Sequence, residues 1–401
     1  MAIYFDEEKK IFYLESGCVS YVMQISQFGF LTQLYYGKRI PREDVSYVEK
    51  LYDRGSEAVV FGAPSRRYSP NVITSEYPSY GKGDFRECAF IPRGADGARV
   101  FEGKVKGFEI LQEKPTIPGM PSLYGGGETL VVTLEDEISK VQVDLYYSVY
   151  DELDAIARRA VIKNNADTPL VLDRAYSFSL DLPAGSYKVI TQYGAHMRER
   201  TPEVTPLMHG IMSVDSKRGA TSLHSSCFMA LAAKDADEES GDVYGFNLIY
   251  SGSFRLTAEQ SPYDMVRVLG GINDFDFSWK LLPGESFYTP EAAMVYSGKG
   301  LGAMSRTFHD LYRGYIINKR FVNAVRPIVI NNWEATYFNF DIPKLCSIID
   351  TVKDSGIDMF LLDDGWFGRR DSDRSSMGDW TVNKDKLAKT PILIASIPIG
   401  R

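Results

Sequence analysis

Met359-Phe360-Leu361-Leu362 runs directly into Asp363-Asp364-Gly365-Trp366-Phe367, a short apolar stretch that ends in two acids, a glycine and an indole. A continuous apolar run of this length suits a strand buried on both faces of a parallel sheet. In parallel barrels the chemistry sits where such strands end. A second run, Ile328-Val329-Ile330, ends in Asn331-Asn332-Trp333-Glu334, and one helix-length segment separates the two. The spacing is β-α-β. Two successive strands that end in polar-plus-tryptophan clusters suit a sugar: an indole stacks on the apolar ring face, while carboxylates and amides take the hydroxyls. Asn, Asp and Gly are also ordinary turn residues, so the pattern alone leaves a plain pair of strand-end turns open.

The 401 residues are 44% hydrophobic, enough to bury a large core in more than one domain. The formal net charge is -8 and no basic run is present, which argues against a nucleic-acid partner. Cys18, Cys88, Cys227 and Cys346 are too scattered for a zinc site or a redox pair and read as small buried hydrophobes in a reducing compartment. No pair among His196, His209, His224 and His309 has metal-ligand spacing, so no metal or other cofactor is expected. Gly125-Gly126-Gly127 lacks the Lys-Ser/Thr of a phosphate loop. The polar start, Met1 to Lys10, has no signal-peptide core, and no run reaches the ~18 apolar residues of a membrane span. The expectation is a soluble cytoplasmic protein with no membrane partner.

Residues 1–300 have a β texture. Ile3-Tyr4-Phe5 and Ile11 to Leu14 read as a hairpin, and Val19, Tyr21, Met23 and Ile25 alternate with mostly polar neighbours. Further strands are expected at 130–134, 141–147, 161–162, 170–172, 246–250 and 275–279, rich in aromatic and β-branched residues. So many strands call for a large double-sheet sandwich. From Gly302 the period switches, and Met304, Phe308, Leu311, Tyr312 and Tyr315 form one helical stripe. Pro327 suits a strand start. Ile342 to Ser355 reads as a helix capped by Asp341, with Pro343 in its first turn and Gly356 as its stop.

Several ordered motifs together resemble the family 36 glycoside hydrolases, the bacterial α-galactosidases and their relatives. In the β region these are Glu76-Tyr77-Pro78 with Gly81, Gly83, Asp84 and Arg86, then Leu180-Asp181-Leu182-Pro183, then Gly194 to Arg200. They continue through Arg218-Gly219 to His224, Gly271-Ile272-Asn273, Phe277-Ser278-Trp279, and Met304 to Arg313. Beyond these lie Asn332-Trp333-Glu334-Ala335, Asp363 to Gly368, and Gly378-Asp379-Trp380. Ser226-Cys227 departs from the family's usual Asn-Pro.

The resemblance implies retaining hydrolysis of terminal α-linked galactose from melibiose- and raffinose-type oligosaccharides, often by a homo-tetramer. It implies a mainly β chain: an N-terminal β-supersandwich over 1–300, a helical linker over 301–325, and over 326–401 the first strands and helices of an incomplete (β/α)8 TIM barrel. It places Trp333, Asp363 and Asp364 in a galactose subsite, and Asp53 in a loop that reaches a neighbouring subunit. Asp363 and Asp364, adjacent on one strand end, cannot straddle a glycosidic bond, since a retaining pair stands about 5–5.5 Å apart across it. No catalytic residue is therefore assigned. The stretch from Lys389 to Gly400 departs from the family, and the expectation is a chain truncated near residue 388 and inactive alone. A non-catalytic sugar-binding or assembly module is the alternative.

Overall fold

The computed structural model describes residues 2–49, 51, 58–221 and 223–387, and the backbone of 396–398. The chain divides into two units, Met1–Ile317 and Asn318–Arg401. The chain is mainly β, as expected.

In the first unit every strand pair is antiparallel. Ile3–Asp6, Ile11–Glu15, Val19–Ile25 and Leu31–Lys38 form a four-stranded meander. A larger sheet runs in the spatial order 201–206, 187–193, 225–233, 243–249, 291–297, 155–164, 141–150, 129–135 and 104–111. The third sheet is organised on the long strand Leu170–Leu182. One edge of that strand pairs with Trp279–Leu281 and then with Val266–Ile272. Phe178 and Phe246, from facing sheets, stack with ring centroids 5.5 Å apart, and a single apolar core fills the space between the sheets.

The segment expected as a strand over 275–279 is mostly a turn, and only Trp279–Leu281 pairs. Asp276 adopts a left-handed φ of 54°, and the Asn273 side chain accepts the Phe275 amide at 3.0 Å. Asp274 is drawn into an ion pair with Arg174 and accepts the Tyr176 hydroxyl at 2.9 Å. These polar anchors outweigh the aromatic β propensity of the segment.

Helix Gly300–Tyr315 buries Met304, Phe308 and Leu311 against Ala230, Val243, Ala293 and Val295, which is the stripe read from the sequence. Each of these side chains contributes roughly 2 kcal/mol by burial. The close approach depends on Gly245, where an added Cβ would lie 2.5 Å from the Phe308 ring and 2.7 Å from the Met304 sulfur.

The sheets are also joined through a buried ionic cluster. The Glu76 carboxylate accepts the Tyr21 hydroxyl at 2.6 Å, the Tyr147 hydroxyl at 2.8 Å and the Arg158 guanidinium at 2.8 Å. Arg158 also donates to the Tyr21 hydroxyl at 2.9 Å and to the carbonyl of Ser179. Burial pushes the Glu76 carboxyl above its ordinary value, and Arg158 and the two tyrosines oppose that. A second cluster pairs Arg267 with Asp181 at 2.7 Å and with Asp84 at 2.8 Å, and Asp84 also holds Arg86 at 2.8 Å.

The second unit begins the expected β-α-β. Val329–Asn331 and Met359–Leu361 are parallel, in the register Val329↔Met359 and Asn331↔Leu361. The first strand starts two residues after Pro327, with the Ile328 amide donating to Asp358 at 3.0 Å. Between the strands lies helix Ile342–Val352, whose cap Asp341 accepts the Lys344 amide at 2.9 Å. Ser396–Pro398 pairs with Met359–Leu361 in the antiparallel sense, so the described elements start a barrel without closing it. Phe340, Leu345 and Phe360 form the core of this unit.

Arg158→Met should destabilise the first unit by roughly 3–5 kcal/mol in urea unfolding, because it leaves the buried Glu76 without its cation. The added change Glu76→Gln should recover part of that loss. Gly245→Ala should cost about 1–3 kcal/mol by pressing on Phe308. If either single variant stays within about 0.5 kcal/mol of the parent, the role assigned to that residue is wrong.

Candidate functional site

The C-terminal ends of the two parallel strands carry Trp333, Asp363 and Asp364, and the structure links them through asparagine side chains. Asn331 ends the first strand. Its Oδ1 accepts the backbone N–H of Trp333 at 2.6 Å, and its Nδ2 donates to Asp363 Oδ2. Asn332, fully buried, accepts the Asp363 amide on its own Oδ1 at 2.8 Å and donates to Thr336 Oγ1 at 2.9 Å. One asparagine therefore holds both the backbone amide of Trp333 and the Asp363 carboxylate, and its neighbour fixes the backbone that carries the carboxylate.

Trp333 opens the short helix Trp333–Thr336 and is half-buried. Its ring meets Phe338 edge-on at 4.9 Å and Tyr337 at 5.3 Å. Two near-perpendicular aromatic contacts of this kind hold an indole in place.

The two acids differ in their surroundings. Asp363 Oδ1 accepts the Asp364 amide at 2.7 Å. Asp364 is gripped more firmly: Oδ1 accepts the Gly365 amide at 2.7 Å and Arg370 Nε at 2.9 Å, and Oδ2 accepts Arg370 Nη2 at 2.8 Å. The hydrogen bonds from Arg370 hold the Asp364 carboxyl below its ordinary value, with help from the Gly365 amide. Gly365 has φ of 90°, and a Cβ there would lie 3.1 Å from Phe338 and 3.2 Å from Phe340, so only glycine fits this turn.

The loop after the acids is tied back on itself. Arg370 is buried, lies over the Phe338 ring and donates Nη1 to the carbonyls of Ser372 and Ser375 at 2.9 and 3.0 Å. Lys386 donates to the Phe338 carbonyl at 2.9 Å and pairs with Asp371 at 2.7 Å. The Asn383 amide donates to the Trp366 carbonyl at 2.9 Å. The roles of Arg370 and Lys386 escape a sequence reading, because nothing in a loop rich in Asp, Ser and Arg sets these two cations apart. Asp53 lies outside the described residues. Among the described residues no group of three or more His, Cys, Asp or Glu is arranged to hold a metal, and no helix is long and apolar enough to cross a membrane.

A family model for the glycosyl hydrolase family 36 N-terminal domain matches residues 29–282, and a melibiase model matches residues 286–397. The chain belongs to glycosyl hydrolase family 36. It is 42% identical over 402 residues to the alpha-galactosidase AgaA of Geobacillus stearothermophilus, a match that covers 96% of this chain and 54% of AgaA. The crystal structure of the family 36 alpha-galactosidase AgaB from the same organism aligns at a TM-score of 0.91 with 42% identity, covering 96% of this chain and 53% of AgaB. An AgaA variant crystallised in complex with raffinose aligns at a TM-score of 0.91 with 42% identity, over 94% of this chain and 53% of that one. The chain thus spans about half the length of the family 36 relatives it matches.

The depressed Asp364 carboxyl sets a pH dependence. A carboxyl below its ordinary value when folded stabilises the fold above about pH 4 and loses that contribution as pH falls through the folded value. Hydrogen exchange of the Gly365 amide, taken relative to its intrinsic rate at each pH, should therefore speed up in acid, below about pH 4. In Asp364→Asn it should be fast already at neutral pH. Equal protection of the variant and the parent at neutral pH would show that the ion pair does not order the loop.

Proposed function

We infer that residues 318–387 form the galactose-facing part of a retaining α-galactosidase site. Trp333 stacks on the apolar face of the sugar, and Asp363 and Asp364 accept its hydroxyls. The observation that carries this reading is the Asn331 side chain, which holds the Trp333 amide and the Asp363 carboxylate together at adjacent strand ends. A tryptophan backbone and a carboxylate tied by one side chain at adjacent strand ends make a preorganised sugar platform. Family membership and the raffinose complex of the AgaA variant support galactosides of the raffinose and melibiose type as the substrate class.

Neither acid is assigned to bond cleavage. Retaining hydrolysis uses two carboxylates on opposite sides of the glycosidic bond, about 5–5.5 Å apart. Asp363 and Asp364 are consecutive on one strand end, and Asp364 is committed to Arg370. The platform binds and orients; nucleophile and acid/base are not assigned among these residues. Tetrameric assembly, with Asp53 directed to a neighbouring subunit, belongs to the same proposal and is read by sedimentation of the purified chain. The four cysteines are all free thiols, which suits a cytoplasmic setting, although only Cys88 and Cys227 are buried as expected and Cys18 and Cys346 are exposed.

The test is titration of the purified chain with methyl α-D-galactoside, together with an assay on p-nitrophenyl α-galactoside. Weak saturable binding is expected, reduced about tenfold or more in Trp333→Ala and in Asp363→Ala. No turnover is expected from the chain alone. Turnover that disappears in Asp363→Ala would make that carboxylate catalytic and overturn its assignment to binding. Binding unchanged in both variants would remove the platform.

A further inference from the structure

Asp364 does not present a free carboxylate. A carboxylate has about four lone-pair positions for hydrogen-bond donors. On Oδ1 both are taken, by the Gly365 amide at 2.7 Å and by Arg370 Nε at 2.9 Å. On Oδ2 one is taken by Arg370 Nη2 at 2.8 Å, with Arg370 Nε also near at 3.1 Å. Among the described residues, one direction on Oδ2 remains open. Asp363 is different: Oδ1 receives the Asp364 amide and Oδ2 the Asn331 amide, which leaves one position on each oxygen.

The guanidinium that sets this limit is itself immobilised. Its Nη1 is spent on the carbonyls of Ser372 and Ser375, its plane lies over Phe338, and its side chain is 6% exposed. Phe338 also holds the Trp333 ring edge-on. The same aromatic side chain thus seats the indole and the arginine.

We propose that Arg370 is a positioning residue that orients Asp364 so that one acceptor direction, on Oδ2, is left for a single sugar hydroxyl. The inference rests on the galactose reading above and deepens it: Asp363 serves two donors, Asp364 one, and the planar fork of Arg370 decides which one. A lysine supplies the charge without the fork, so the two contributions are separable.

The test uses the full chain with carboxyl-13C aspartate, Asp364→Asn to assign the resonance, and the variants Arg370→Met and Arg370→Lys. The ionisation midpoint of Asp364 is read by NMR across pH, and methyl α-D-galactoside affinity by titration at neutral pH. The expected result is a midpoint that rises in Arg370→Met and only part-way in Arg370→Lys. Galactoside affinity in Arg370→Lys should still fall about tenfold or more, because charge without the fork leaves the carboxylate misaimed. A lysine variant that binds as tightly as the parent overturns the positioning role, and so does an unmoved midpoint in Arg370→Met. If the parent shows no galactoside affinity while the midpoints move as stated, the galactose reading fails and the fixing of Asp364 by Arg370 stands. Unchanged resonances of Phe340, Leu345 and Phe360, the core of the second unit, in Arg370→Lys confirm that the unit carrying the site is folded.

Discussion

The ion pair between Arg158 and Glu76 is the constraint around which the first unit is assembled. It lies where three layers meet: Tyr21 comes from the N-terminal meander, Tyr147 and Arg158 from the large sheet, and Ser179 from the long strand of the third sheet. An apolar core alone would let these layers slide, since burial is non-directional. The cluster fixes them, because every donor must find its acceptor once water is gone. Desolvating a carboxylate and a guanidinium costs several kcal/mol each, and only a nearly complete set of hydrogen bonds offsets that. Glu76 has three partners on its carboxylate, and the Arg158 guanidinium makes contacts on both terminal nitrogens. The value of the cluster lies in register more than in net stability.

The second cluster extends the same logic to a loop. Asp84 and Arg86 sit on an irregular segment, yet Arg86 is buried and Asp84 is held below its ordinary carboxyl value, where burial is outweighed by Arg267 and Arg86. Asp181 closes the set from the long strand. Loops without regular hydrogen bonding rarely stay ordered against a sheet unless charged side chains anchor them. In this loop the anchors are its own Asp84 and Arg86.

These anchors show where the sequence could and could not be read. Glu76, Asp84, Arg86 and Asp181 belong to the motifs that carry the family resemblance, so their presence was visible but their task was not. Their partners Arg158 and Arg267 are invisible locally. Each lies in an apolar strand, Ala155–Asn164 and Val266–Ile272, where alternation assigns a charged residue to the solvent face. Both faces of the Arg158 strand are interior, one in the core between the sheets and one under helix Gly300–Tyr315, and the loop that carries Asp84 covers Arg267. The turn at 273–276 misled for the converse reason: aromatic residues suggested a strand, while Asn273, Asp274 and a left-handed Asp276 commit the backbone to bend. In the second unit the strand ends, the capped helix and the polar-plus-tryptophan clusters were all legible, because each depends on neighbours in sequence. Arg370 was not legible, since its role depends on the loop folding back over Phe338.

The chemistry of Asp364 follows from that fold-back. A general acid in a glycosidase needs a carboxyl raised above its ordinary value so that it holds a proton near neutrality, and a desolvated site supplies this. Asp364 is driven the other way by Arg370 and the Gly365 amide. A nucleophile needs an oxygen free to approach the anomeric carbon, and Asp364 keeps a single open direction beside a guanidinium that withdraws charge from it. Held below its ordinary value and mostly occupied, this carboxylate is suited to accept one hydroxyl and poorly suited to break a bond. The ion pair between Asp364 and Arg370 thus argues against either catalytic role for this carboxylate.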